Sequence, residues 1–407
     1  MTLENVADEE DESTGALAGT LVVDLSRALA GPHAGMMLGD LGARVVKIEA
    51  VGSGDETRRW GPPFVGPETD LQSSYFLSCN RNKESLALDL KSAADIQILT
   101  ALLERADVVI ENFRTGVMDR LGLSMTRLHE INPRLVILSI TGFGHDGPEA
   151  GRAGYDQIVQ GEAGLMSITG SGPDDPQRVG VPIADLLSGM YGAYGVVAAL
   201  LERTVTGVGT VVRTSLLSAV VGVHAFQGTR VTVADEVPEA QGNHHPSIAP
   251  YGLFGCADGA VQISVGNESL WRRLCERFGI DSADPLLADN AQRVRHRRHT
   301  IEVVERAFAG FDAAELLTAL AEAGIPAGTV RSLDEVYRWD QAISQGLLLE
   351  VDHPTLGPIE LPGPPIRFFA TDGQSERETT KRRHRPPPLL DEHGASIREW
   401  LGEGTQR

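Results

Sequence analysis

Cysteine is scarce in this chain: Cys79, Cys256 and Cys275 are the only three in 407 residues. The count is odd and no CxxC or Cys/His ligand spacing occurs. This excludes a disulfide framework and a structural zinc site, and reduced thiols point to a cytoplasmic protein. Positive charge is also short. Lys and Arg number 36 against 56 Asp and Glu, a formal net charge of −20. Such an excess argues against nucleic acid and anionic membrane as main partners, while leaving room for a local basic pocket around a phosphorylated ligand. No run of about 18 uncharged apolar residues is present, so no transmembrane helix is expected. The N-terminus, MTLENVADEEDESTGA, has no apolar core of a signal peptide and reads as a disordered acidic lead-in over residues 1–16. The GxGxxG loop of dinucleotide folds is missing too. Its place after the first strand reads SRALAGP, which argues against a nicotinamide cofactor even though Glu49 stands where such folds carry their ribose-binding acid.

What is present is a strand–loop–helix rhythm. The length suggests two domains, and a hydrophobic fraction of 42% is ample for a large core. Thr20–Asp24 (TLVVD) reads as a buried strand, Pro32–Leu41 as a helix with proline in its first turn and Gly42 past its end, and Arg44–Glu49 (RVVKIE) as a second strand. This βαβ unit predicts a parallel sheet with Rossmann-like winding. Further strands are expected at Leu86–Leu90, Val108–Glu111, Leu135–Ile140 and Thr210–Ser215, and an amphipathic helix over Ala93–Arg105. Asn112-Phe113-Arg114 follow a strand's C-terminal end, where open α/β sheets bind ligands. After Gln227 the pattern changes to a hairpin, Tyr251–Phe254 with Val261–Val265, and then helical segments. The expected organisation is an α/β chain with a large Rossmann-like domain over 17–226 and a smaller α+β domain over 227–330, followed by a less regular C-terminal segment, 331–407.

The stretch Val179–Gly195 (VGVPIADLLSGMYGAYG) sets Asp185 between an extended run and a helix. Gly189, Gly192 and Gly195 recur on that helix at three-residue steps. Each glycine inside a helix costs up to ~1 kcal/mol relative to alanine, so something must approach this backbone closely. Asp185 reads two ways. It is an N-cap, or it is a nucleophile whose pKa the helix dipole lowers and whose neighbouring backbone N–H groups serve an oxyanion.

Several segments in order resemble the class III CoA-transferases, of the formyl-CoA and carnitine CoA-transferase type. They are DLSRALAGPHAGMMLGDLGARVVKIE, NRNKESLALDLK, ENFRTGVMDRLG, GYDQIVQGEAGLMSITG with GVPIADLLSGMYG, GNHHPSIAPYGLF with ADGAVQISVGN, and AGIPAGTV. The resemblance runs from about Leu21 to Gly394. It implies that Asp185 is the catalytic nucleophile. It also implies that Arg27, Ala28, Leu88, Lys91, Asn112, Phe113 and Arg120 contact CoA, with Ala153 and Asp156 near the thioester. It implies a Rossmann-like large domain completed by the C-terminal segment, and an interlocked homodimer. The partners implied are an acyl-CoA and a carboxylic acid, with no cofactor beyond CoA as substrate and no metal.

The implied chemistry is covalent. Asp185 is acylated by the thioester, and CoA then moves onto the aspartyl carbonyl before passing to an acceptor acid. Departures from the family pattern bear on the substrate. Leu29 replaces a polar residue at the acyl end and argues against formyl and oxalyl groups, and GNHHPSIAP stands in place of a glycine-rich loop. Asp156 has a second reading as an acid/base or field-tuning group, and His145 as either a surface or a site residue. The related α-methylacyl-CoA racemase, which works by proton transfer with a His/Asp pair, is the alternative. Its aspartate falls on Asp156, but its His-Asp-Ile-Asn-Tyr run reads Tyr155-Asp156-Gln157-Ile158-Val159 here.

Overall fold

The computed structural model describes residues 15–380 and 383–403. The acidic lead-in therefore falls almost wholly outside the described residues. Six parallel strands form the main sheet: β1 (Leu21–Asp24), β2 (Arg44–Glu49), β3 (Lys83–Ala87), β4 (Val108–Glu111), β5 (Val136–Thr141) and β6 (Val211–Ser215). Their order is β3-β2-β1-β4-β5-β6, which is doubly wound about a switch point between β1 and β4. Val22, Val23, Val109, Ile110, Val136 and Ile137 are fully buried, the near-continuous apolar run expected of strands covered on both faces.

Strand β3 begins three residues before its expected place. Lys83, Glu84 and Ser85 read as polar and loop-like, yet all three are buried, because the strand ends hold ion pairs. Lys83 Nζ lies 2.9 Å from Asp24 Oδ2 and also donates to Pro32 O (2.7 Å) and Asn80 Oδ1 (2.9 Å). Lys47 Nζ pairs with Asp55 Oδ2 at 2.9 Å. Burial would raise the Asp24 pKa, but Lys83 and Lys47 outweigh it and hold the carboxyl below its ordinary value. Glu49 does not await a ribose. It is buried in a two-bond pair with Arg58, 2.7 Å at each oxygen, and accepts from Ser85 Oγ.

Helix α1 (Ala30–Asp40) follows β1, α2 (Ala93–Arg105) follows β3, and α3 (Asp156–Glu162) and α4 (Ile183–Thr206) follow β5. By length and composition α4 is apolar enough to cross a bilayer, although Asp185, Glu202 and Arg203 interrupt its apolar run. Here it is a core helix. Ala184, Ser188, Gly189, Gly192, Ala193 and Val196 form its buried face. The glycines explain the fit. A Cβ on Gly189 would lie 2.6 Å from Ala30 O, one on Gly192 2.9 Å from Leu138 Cδ2, and one on Gly195 2.6 Å from Val212 Cγ1. Its opposite face is apolar but exposed, with Met190, Tyr194, Val197, Leu201 and Val205 in one stripe and Tyr194 75% and Val205 88% accessible.

Two compact units divide the described chain. The first comprises residues up to Ala163, Val179–Thr229 and residues from Asp340; the second comprises Gly164–Arg178 and Arg230–Trp339. Within the first unit the C-terminal helix Gly394–Glu403 brings Ile397 and Leu401 into the main core, and Trp400 lies between the Arg44 and Arg105 guanidinium groups, 4.5 and 4.7 Å from its ring centre. The second unit holds the expected hairpin, Tyr251–Gly255 with Ala260–Ser264, extended by Ala327–Gly328. Its core contains Phe254, Trp271, Leu274 and Phe308.

Candidate active site

A cavity of about 420 Å³ opens at the C-terminal ends of β1, β4 and β5, within the first unit. Its wall begins at the β1–α1 turn. Ala28 has φ 63°, the left-handed region uncommon for a residue with a Cβ. The turn is held from outside: Asn112 Oδ1 accepts the Arg27 N–H and Asn112 Nδ2 donates to Arg27 O, both at 2.8 Å. The Arg27 guanidinium lies 5.2 Å from the Phe113 ring centre. Asn112 thus closes two loops by imitating a strand partner. A second junction is the contact of Gly142 with Gly154, where a Cβ on either would come within 2.6 Å of the other's Cα. Thr115 Oγ1 donates to Ala150 O at 2.8 Å and links the loop after β4 to the loop after β5.

Asp185 sits on the cavity wall beside Pro182. It is not the cap of α4. The helix starts at Ile183 with Pro182 in the cap position, and the carboxylate that takes up its first N–H groups is Asp156, whose Oδ1 accepts from Ala184 N–H at 2.8 Å and lies 3.5 Å from Asp185 N. Asp156 Oδ2 accepts from Gln160 Nε2 at 2.7 Å, and Gln160 Oε1 accepts the Val179 N–H. This reverses the expected electrostatics. Burial and then the Asp156 charge push the Asp185 carboxyl from 3.8 up to about 7. The helix dipole does not lower it because Asp156 occupies the N–H groups through which the dipole acts.

Opposite these acids, Trp60 and Tyr75 form an edge-to-face pair, ring centres 4.9 Å apart, that lines the cavity. Burial, then the Asp185 charge, raise the Tyr75 pKa, so its phenol keeps its proton. Arg27, Arg114 and Arg152 also line the cavity. Arg152 is tied to Glu149 and Glu162 and lies over the Phe143 ring.

Of the residues singled out from the sequence, Arg27, Ala28, Asn112, Phe113, Ala153, Asp156 and Asp185 line this cavity together. Three do not. Leu88 is 1% exposed inside the main hydrophobic core, so its side chain is a packing residue. Lys91 and Arg120 are exposed and outside the cavity lining. Leu29 is likewise 5% exposed and absent from the lining, whereas Ala28 and Ala30 form the wall there, so Leu29 carries no argument about the acyl group. His145 turns away from the cavity to Ser139. Among the described residues lining the cavity none is a histidine, as a racemase His/Asp pair would require. In the second unit His244 packs edge-on to Phe254 and His245 stacks on Tyr251. Sequence reading missed Trp60, Tyr75, Arg152 and the Lys47–Asp55 pair. Lys47 inside an otherwise apolar part of its strand was the available signal for the last.

This arrangement suits an anionic nucleophile facing a ligand that brings its own negative charge to an arginine-lined rim. Similarity to known proteins agrees. The chain is 37% identical over 388 residues to the succinyl-CoA:glutarate CoA-transferase of Mus musculus, covering 95% of this chain and 86% of that one. It is 37% identical to the succinate–glutarate CoA-transferase of Agrobacterium fabrum, covering 94% of each. The crystal structure of a CAIB/BAIF family protein from Brucella suis superimposes with a TM-score of 0.82 at 37% identity, covering 95% of this chain and all of that one. The model of CoA-transferase family III matches residues 17–394, and the chain belongs to that family: it is a class III acyl-CoA:carboxylate CoA-transferase.

Proposed function

We propose that Asp185 carries the transfer covalently. A carboxylate oxygen of Asp185 attacks the thioester carbonyl, the C–S bond breaks, and CoA leaves as thiolate from a mixed anhydride. The thiolate attacks the Asp185 carbonyl carbon, expelling the donor acid and leaving an aspartyl–CoA thioester. The acceptor carboxylate attacks that carbon and expels the thiolate. The thiolate then attacks the acceptor's acyl carbon and restores Asp185. Each bond made replaces one broken, and no proton or electron is consumed. The observation that carries this reading is the placement of Asp185 on the wall of the cavity that Arg27, Asn112 and Phe113 also line.

Arg27 and Arg114 are the groups assigned to the CoA phosphates, and Tyr75 is placed to face the reacting end. Dicarboxylic acids, with succinyl-CoA as donor, are the proposed substrates, supported by the names of the two relatives above. The active form is proposed to be an interlocked homodimer. The exposed apolar stripe of α4 supports this, because an apolar patch of that extent on a soluble enzyme favours coverage by protein. The test is incubation of wild type and Asp185→Asn with succinyl-CoA and glutarate. Mass spectrometry should find glutaryl-CoA with wild type only, and hydroxylamine added during turnover should modify Asp185. Transfer by the variant at a near-wild-type rate would refute the assignment.

A further inference from the structure

Beneath the Asn112–Arg114 loop lies a buried polar chain that the transfer chemistry does not use. Glu111, the last residue of β4, is 3% exposed. One carboxyl oxygen accepts the Phe113 N–H at 2.9 Å and the other meets the hydroxyl of Ser139, its neighbour across the sheet. Ser139 Oγ is in turn 2.8 Å from His145 Nε2. The loop after β5 is bent back to allow this, with Gly144 N–H donating to Thr141 Oγ1. A serine hydroxyl between a carboxyl and an imidazole has two satisfied arrangements. In one, His145 Nε2–H donates to Ser139, Ser139 donates to Glu111, and Glu111 is an anion. In the other, Glu111 is protonated and donates to Ser139, which donates to a His145 bearing its proton on Nδ1.

We propose that Glu111, Ser139 and His145 form a two-state proton chain that sets the charge beneath the CoA-binding loop and so tunes affinity for the CoA phosphates, the neutral state binding tighter. The proposal rests on the reading of the Asn112–Arg114 loop as the phosphate end of the site. Glu111, Ser139 and His145 act as positioning residues, not as participants in transfer. Burial raises the Glu111 pKa against the opposing pull of Ser139 and the Phe113 N–H, which brings the neutral state closer to neutral pH. The charged groups facing His145 are Arg213 of β6 and its neighbour Asp146. Burial, with Arg213, lowers the His145 pKa against Asp146, so the ring stays neutral and able to accept. Among the described residues no charged side chain shifts Glu111 itself.

The test is the dissociation constant of CoA, by calorimetry on the full-length protein from pH 5.5 to 8.5. Glu111→Gln keeps the shape, and its amide donates to Ser139 as the protonated acid does. Titration of the ligand's own phosphate is common to both proteins, so the ratio of wild type to variant isolates the chain. Wild type should lose affinity relative to Glu111→Gln by about 5-fold as pH rises, the scale of one screened charge beneath an anion. His145→Ala, on a half-buried loop, removes the acceptor of the neutral state and should weaken CoA binding at pH 7 while leaving that of Glu111→Gln/His145→Ala unchanged from Glu111→Gln. A pH-independent ratio of wild type to Glu111→Gln overturns the proton chain alone. Absence of CoA binding by every protein overturns the phosphate-end assignment and the proposal with it.

Discussion

Replacing Asp156 by asparagine isolates the electrostatic cost of placing a second carboxylate next to Asp185, the nucleophile proposed above. In Asp156→Asn the amide oxygen retains the hydrogen bond from Ala184 N–H that Asp156 Oδ1 accepts at 2.8 Å, so the start of α4 keeps its cap. The bond from Gln160 Nε2 to Oδ2 is lost, because an amide NH₂ now faces it, at a stability cost of ~1 kcal/mol. The negative charge disappears. Burial is the larger cause of the raised Asp185 pKa and Asp156 the second, so the value falls but remains above 3.8. Since burial is the larger of the two causes of the rise from 3.8 to about 7, the share of Asp156 is less than half of it, on the order of one pH unit. With Asp185 at about 7 in the wild type, ~10% of its carboxyl is ionised at pH 6; a fall of one unit makes that ~50%. The acid limb of kcat/KM should move down by about one pH unit, and the rate at pH 6 should rise ~5-fold. Stopped-flow or discontinuous assay of thioester exchange between pH 5 and 8.5 reads both. An acid limb that stays in place, or moves to higher pH, would refute the claim that Asp156 opposes ionisation of Asp185.

Four further outcomes follow from the same geometry. Asp185→Asn should raise the melting temperature, and the gain should depend on pH. Folded-state protonation persists to about 7 against 3.8 unfolded, so the wild-type penalty is nil below pH 3.8, grows between the two values and is complete above 7; a thermal-shift gain that is largest below pH 4 would contradict this. Asn112→Ala removes both hydrogen bonds to Arg27, each worth ~1 kcal/mol, and should raise KM for acyl-CoA ~10-fold with kcat within ~2-fold in steady-state assays. Gly189→Ala places a methyl 2.6 Å from Ala30 O, backbone that must move; denaturant melts should show a loss of ~1–3 kcal/mol. Lys83→Met leaves Asp24 buried without its partner and should cost ~3–5 kcal/mol, part of which returns when Asp24→Asn is added.

The main sheet was legible mostly through short apolar runs such as Leu21–Val23, Val108–Ile110 and Val136–Leu138. Arg44–Glu49 and Val108–Glu111 appear with the bounds expected of them. Strand β3 was displaced because Lys83 and Ser85 satisfy their polarity through partners distant in the chain, Asp24 and Glu49, which no local pattern records. The role of Asp156 was hidden for the same reason. An aspartate that opens one helix caps another that begins 27 residues later. Asp185 stood out by its place before a glycine-marked helix, but its proton affinity depends on which carboxylate owns the N–H groups. Leu29 and Leu88 turn their side chains into buried positions rather than onto the cavity wall; for Leu29 a single residue of offset separates that wall, at Ala28 and Ala30, from the core behind it.

Helix α4 is fastened at three levels, to the α1 backbone at Gly189, to β5 at Gly192 and to β6 at Gly195. A rod held so closely along its length cannot slide or tilt to meet acids of unequal size. The position of the Asp185 carboxylate, the proposed nucleophile, is then set by the scaffold, and any divergence in acid preference between relatives is left to the loops around Ala28, Trp60 and Tyr155, which can change length and shape without disturbing the sheet beneath.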